Sequence, residues 1–405
     1  MAKTDVVIVG GGLAGLCCAL HLQQHSVECV VLEGGDRPGG RVRTDEVDGF
    51  LLDRGFQVLL TAYPEARRML DYEALLLAFY EPGALVRAEG SFHRIADPMR
   101  DWTAALSTLA APVGTLADKM RILKLRSGET VGDAEISTID ALRQHGFSSE
   151  IIERFFRPFF RGIFLEPDLA TSERKFAFIF QMFSTGHAAL PAHGMQAIPD
   201  QLASRLQRGT LRTGARVESI GEGEVRLESG EAIACDAVVL AVEQPECARL
   251  TNGAVAAGTA CATTCLYFDA PEPPVRGSWL VLNGDGRGPV NNLSVPSEVH
   301  ASYAPAGRAL VSVSVLGNAP RGIEDAVRAQ LTEWYGRVTV EQWRLLRTVP
   351  VRYALPLQAP PALTPVEKPS RLGQSLFVCG DHREIASIQG AMASGRRAAE
   401  AILKG

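Results

Sequence analysis

The run DVVIVGGGLAGL, residues 5–16, constrains this chain more than any other stretch. A β-branched strand ends in a glycine turn in which Gly10, Gly12 and Gly15 fit GxGxxG. The first glycine permits the tight turn, and the second lets the backbone approach a pyrophosphate. The third lets helix and strand pack closely, and the helix N-terminus attracts negative charge. Residues 13–24 follow with Leu13, Leu16, Cys17 and Leu20 along one side, as a helix requires. A valine-rich strand, Val27–Glu33, comes next and completes a βαβ unit of a parallel sheet. Glu33 lies 18 residues beyond Gly15, where a carboxylate accepts both ribose hydroxyls and repels a 2′-phosphate. The motif is weak when it stands alone. With strand, helix and acid in place, it predicts a bound dinucleotide.

A chain of 405 residues exceeds one compact core and predicts two interleaved domains. Two further buried runs, CDAVVLAV (235–242) and LFVCG (376–380), sit far downstream, so other material is inserted between strands of one sheet. Residues 97–185 read as mainly helical, and 255–320 alternate with many turns, as an antiparallel sheet does. The Pro-rich stretch 356–369 reads as a surface connection. The net charge of −5 offers no basic field for a nucleic-acid backbone, so nucleic acid is not an expected partner. Eight cysteines (Cys17, Cys18, Cys29, Cys235, Cys247, Cys261, Cys265 and Cys379) show no CxxC pair and no zinc spacing. Buried thiols in a reducing compartment are the expectation, with no metal. Met1 leads straight into a strand with no basic leader, and no apolar run is long enough to span a bilayer. The expected location is the cytoplasm; WTAALSTLAAPVGTLADKMRIL (102–123) carries few cations and reads as core, with peripheral membrane contact as the alternative.

Beyond Glu33 the chain reads GGDRPGGRVRTDEVDGFLLDRG. PGGRVRT and the DRG that follows resemble the flavin-containing amine oxidase, protoporphyrinogen oxidase and phytoene desaturase superfamily, whose hallmark is GGRxxT. Two other stretches extend the resemblance along the chain. GARVESI (214–220) is similar to the strand whose backbone holds the adenine, here at Val217. ALPAHGMQAIPDQLA (189–203) is similar to the family's PxGGMxxLxxxLA, with His193 replacing a glycine. At the far end, Gly380-Asp381 and IASIQGAMASGRRAA resemble the strand end and helix that meet the ribityl–pyrophosphate and the flavin pyrimidine.

The resemblance implies FAD and an α/β fold. A Rossmann-like FAD-binding domain (1–80, 190–250 and 345–405) is interleaved with an α+β substrate domain of antiparallel sheet plus helices (81–189 and 251–344). It places cofactor contacts at Gly10, Gly12, Leu13, Ala14, Gly15, Glu33, Gly34, Gly39, Gly40, Arg41, Gly55, Phe56, Val217, Gly380, Asp381 and Ile388. Arg41 suits a phosphate or the flavin face, and Asp381 doubles as a helix cap.

Nine of the 16 phenylalanines fall within residues 155–183. Each alone reads as helical core; as a group they also fit the wall of an apolar cavity, with Phe155, Phe159, Phe176 and Phe180 as expected lining. Two departures from the amine oxidases bear on the substrate. Those enzymes place a lysine near flavin N5, whereas this chain has none between Lys175 and Lys368. In place of an acid–hydroxyl pair after the last strand stand His382, Arg383 and Glu384, which with His193 and His187 are the candidates for proton transfer.

The expectation is hydride removal from a lipophilic substrate, a carotenoid precursor or other isoprenoid, to flavin N5. Oxygen or a quinone would be the acceptor, because no second GxGxxG exists to hold a nicotinamide. Oxidation of an amine or a porphyrinogen is the rival within the superfamily, and a non-catalytic flavin-binding protein the rival outside enzymes.

Overall fold

The computed structural model describes residues 3–96, 111–125 and 135–404. Two seven-stranded sheets organise it. In the first, β1 (Lys3–Val9) lies at the centre between β2 (Cys29–Leu32) and β3 (Ala232–Leu240), parallel to both. The second strand from the edge is thus β2, flanked outside by the short parallel strand Leu211–Arg212. On the other side β3 divides its pairing. Its first residues take an antiparallel hairpin, Val217–Gly221 with Glu224–Leu227, and its last three take β6 (Leu376–Val378) in parallel.

This register puts Gly10, Glu33, Ala241 and Cys379 in one row, each immediately after a strand: Val9 lies opposite both Leu32 and Leu240, and Leu240 opposite Val378. Chain segments more than 300 residues apart therefore end side by side at the carboxyl edge of one sheet, the edge where open α/β sheets bind ligands.

The second sheet carries β4 (Ala260–Ala270) and β5 (Arg344–Pro356) at one end and Gly83–Ala88 with Ser91–Ala96 at the other. It is antiparallel except where Leu280–Asn283 runs parallel to Gly83–Ala88. Because β5 pairs with β4 along most of its length, residue 345 falls inside this sheet, and the chain returns to the first sheet only after Pro356. The stretch after Pro356 is not wholly superficial either: Gln358 and Leu363 are buried.

The helices include α1 (Leu13–Gln24), α2 (Pro64–Met69), α3 (Leu116–Leu125), α4 (Arg157–Phe164), α5 (Glu173–Thr185) and α6 (Ile388–Leu403). The small-residue face of α6 packs on α1 so closely that a Cβ on Gly395 would stand 2.1 Å from the Ala14 carbonyl oxygen. Only glycine permits that approach, which explains an alanine- and glycine-rich terminal helix. Residues 97–110, which include the first part (102–110) of the segment weighed for membrane contact, lie outside the described residues. No described helix is long and apolar enough to cross a bilayer. All eight cysteines are free, and no metal-binding cluster occurs among the described residues.

Candidate functional site

A cleft of about 600 Å³ opens along the carboxyl edge of the first sheet and runs under the second. Gly10, Gly12, Leu13, Ala14, Glu33, Gly34, Gly39, Gly40, Arg41, Gly55, Phe56, Val217, Gly380, Asp381 and Ile388 all line it. Gly15 does not. It sits behind the turn, where a Cβ would stand 2.0 Å from the Gly10 carbonyl oxygen, so its part is to let α1 start against the strand.

The nucleotide end is built by backbone geometry. Gly10 has φ +108°, and a Cβ there would meet the Ala241 carbonyl oxygen at 2.6 Å. A Cβ on Gly12 would meet nothing within 4 Å, because that side of the turn faces the open cleft. The turn is held from outside by Gly39, whose N–H donates to the Gly11 carbonyl at 2.9 Å. Glu33 is fixed by two backbone donors, Gly11 N–H to Oε2 at 2.8 Å and Gly35 N–H to Oε1 at 2.7 Å. Each carboxylate oxygen keeps a lone pair for a ribose hydroxyl. An open glycine turn at a helix N-terminus, with an aimed carboxylate beyond it, fits the adenosine and pyrophosphate of FAD. Glu33→Ala is expected to weaken FAD binding by about 1–3 kcal/mol, since a charge-assisted hydrogen bond is lost. Equilibrium dialysis measures this, and unchanged affinity would remove Glu33 from the ribose site.

The centre of the cleft joins the two ends of the chain. Arg41 grips Asp381 with both terminal nitrogens, Nη2 to Oδ1 at 2.7 Å and Nη1 to Oδ2 at 2.8 Å. Nη1 also donates to the Ala354 carbonyl at 2.9 Å, and the guanidinium lies 5.3 Å from the Tyr353 ring centroid. Burial acts to raise the Asp381 carboxyl, but the charge and hydrogen bonds of Arg41 prevail and hold it below the usual carboxylate range. Just beyond, Ser387 and not Asp381 caps α6, its Oγ accepting from Gly390 N–H at 3.0 Å while the Asp381 carboxylate is taken up by Arg41; Ala386, Ser387 and Ile388 line the cleft. The positive end of a sixteen-residue helix thus faces the cleft floor.

Buried Gln358 stitches this floor to α5. Its carbonyl accepts from Ser172 N–H, its Nε2 donates to the Glu384 carbonyl, and its Oε1 accepts from Ala386 N–H. One turn into α5 lies Lys175, which sequence reasoning treated only as the boundary of a lysine-free span. It is 1% exposed; its amine has no hydrogen bond or ion pair among the described residues, and the Phe164 ring lies 5.4 Å away. Burial pushes its pKa down to about 8, against weaker pulls from Cys261, Asp381 and Glu166.

The other expectations fare differently. Phe155, Phe159, Phe176 and Phe180 do not line the cleft. They pack on one another and on Phe156, Phe160 and Phe183 as an aromatic core behind the wall. The wall itself is Phe56, Val58, Leu60, Tyr63, Ile163, Ile179 and Phe183. None of His382, Arg383 and Glu384 lines the cleft. His382 is buried, burial drives its pKa down to about 4, and both ring nitrogens lack a partner among the described residues. Arg383 donates to the Pro369 carbonyl, and Glu384 pairs with Arg397 of α6, so this triplet anchors the helix. His193 and His187 are exposed and off the cleft lining. Glu243 and Thr263, which lie outside the motifs, do line it, as do Arg216 and Val242, which lie inside them but are not among the expected contacts.

The model of the family described as flavin containing amine oxidoreductase matches residues 13–403. The coproporphyrinogen III oxidase of Propionibacterium freudenreichii subsp. freudenreichii is 26% identical over 387 residues, covering 76% of this chain and 72% of that one. The phytoene dehydrogenase of Streptomyces griseus is 29% identical over 287 residues, covering 60% and 55%. A solved putative protoporphyrinogen oxidase from Exiguobacterium sp. 255-15 shares the fold across 100% of both chains, with a TM-score of 0.76 at 19% identity. The match of the family model over nearly the whole chain, on a cleft whose glycines and carboxylate suit FAD, makes this protein an FAD-dependent oxidoreductase belonging to the flavin-containing amine oxidoreductase family.

Proposed function

We propose that the protein removes hydride from a lipophilic substrate, a carotenoid precursor or another isoprenoid, and leaves a new carbon–carbon double bond. The observation that carries this reading is the far wall of the cleft, where Phe56, Val58, Leu60, Ile163, Ile179 and Phe183 present apolar surface and no carboxylate, histidine or lysine stands among them. An amine would find no carboxylate on that wall.

FAD, when bound, supplies the hydride acceptor. The chain's own work is positional. The glycine turn and Glu33 hold the nucleotide, Arg41 and Asp381 fix the middle of the cleft, and the N-terminus of α6 stabilises negative charge arising beside it. The apolar wall excludes water and aligns the C–H bond that breaks. With no carboxylate, histidine or lysine on that wall, the second hydrogen leaves as a proton to water at the cleft mouth. Oxygen or a quinone takes the electrons onward.

Peripheral contact with a lipid surface is supported by Leu116 and Met120, one turn apart on α3 and 66% and 58% exposed. A porphyrinogen remains the second reading, favoured by the similarity to a coproporphyrinogen III oxidase. Incubation with detergent-dispersed phytoene and a soluble quinone tests the first. Mass spectrometry should recover lipid lighter by a pair of hydrogens; unchanged phytoene beside oxidised coproporphyrinogen would transfer the assignment to the second.

A further inference from the structure

Among the described residues Tyr63 is the single tyrosine in the cleft lining, and it stands among apolar neighbours. It is 5% exposed, yet its hydroxyl has no hydrogen-bond partner among the described residues. Nearby tyrosines are satisfied: Tyr72 by the Thr61 carbonyl, Tyr80 by Ser294, and Tyr267 and Tyr303 by Asp53. Tyr335 and Tyr353 also lack partners, but neither lines the cleft.

The ring of Tyr63 is held in place. Phe178 of α5 stacks on it, centroids 6.1 Å apart and planes 3° from parallel. Its N–H donates to the Leu60 carbonyl, its own carbonyl accepts from Arg67 N–H, and Pro64 follows at the start of α2. Unlike the hydroxyls of Tyr335 and Tyr353, that of Tyr63 is not sealed in the protein and stays open to a ligand in the cleft, whereas phenylalanine would fill the same space and offer no donor. Burial also raises the phenol's pKa, so it remains a donor at every ordinary pH.

We infer that Tyr63 is a specificity residue whose hydroxyl donates to an oxygen on the substrate, so that an oxygen-bearing lipophile binds better than a bare hydrocarbon. This rests on the lipophilic-substrate reading and narrows it: phytoene would bind by its apolar surface alone, and an oxygenated relative would bind better.

Menadione and 2-methylnaphthalene share one carbon skeleton, and only the first bears carbonyl oxygens. Their affinities for the FAD-loaded protein are measured by calorimetry, for the wild type and for Tyr63→Phe, with FAD content as the control for folding. The wild type should prefer menadione by about tenfold or more, and the variant should lose that preference while still binding 2-methylnaphthalene. Equal wild-type affinities, or a preference that survives in Tyr63→Phe, would overturn the inference and leave the lipophilic reading standing. Binding of neither probe by the wild type would sink both. The wild-type comparison decides by itself if the variant loses FAD.

Discussion

Asp381→Ala should destabilise the protein by about 3 kcal/mol or more and strip it of FAD, because it leaves the Arg41 guanidinium in the cleft without its bidentate partner. The cost is the desolvation of a charge whose compensation has gone. Glu243, 3.9 Å from Arg41 Nε, is too distant and too exposed to replace it. Asp381→Ala combined with Arg41→Met should lose less than Asp381→Ala alone, since both charges then go together. The pH dependence follows from the direction of the shift. The Asp381 carboxyl is held below its unfolded value, so its contribution is full above that value and lost as pH falls through the folded one. Urea unfolding of wild type and variant should therefore converge in strong acid and diverge toward neutrality. A neutral-pH stability within about 0.5 kcal/mol of wild type would refute the account of this pair.

Lys175→Met should do the opposite and stabilise the fold. Burial lowers the amine's pKa from its ordinary 10.5 to about 8, so its charged form is disfavoured in the folded state. A depression of that size corresponds to roughly 3 kcal/mol at pH 7, which methionine, similar in shape and uncharged, removes. Between pH 8 and 10.5 the unfolded chain binds the proton and the folded protein does not, so wild-type stability rises with pH across that window. The variant should show no such rise, and the two should meet above it. Denaturant midpoints at pH 7 and pH 10.5 measure the difference; a variant less stable than wild type at pH 7 would mean the amine has a partner.

These two side chains also show what the sequence discloses and what it withholds. Gly10, Gly12 and Glu33 were legible because a tight turn and a ribose carboxylate impose residue types at short fixed spacings. Asp381 was legible as an acid after a strand, but its pairing with Arg41 spans 340 residues and depends on β6 landing beside β3. The phenylalanine cluster shows the limit of periodicity. Helical spacing says which residues are buried, not whether what they face is a cavity or another ring, and Phe155, Phe159, Phe176 and Phe180 face rings. His382-Arg383-Glu384 drew notice as an unusual triplet of ionisable groups, yet a short helical turn carries them behind the cleft, where Glu384 meets Arg397. Lys175 carried no signal at all, since a lysine in a helix is ordinarily solvated. The division of β3 between a hairpin and β6, and the entry of β5 into the second sheet, are likewise decided by tertiary packing.

The central claim is that a cleft built from both ends of the chain holds FAD against an apolar wall and passes it hydride from a lipophile. Anaerobic mixing of the FAD-loaded protein with detergent-dispersed phytoene, followed by the flavin's visible absorption, tests it most directly. Bleaching by phytoene, with putrescine inert and Asp381→Ala silent for want of cofactor, is the predicted result. Bleaching by putrescine with no response to phytoene would contradict it.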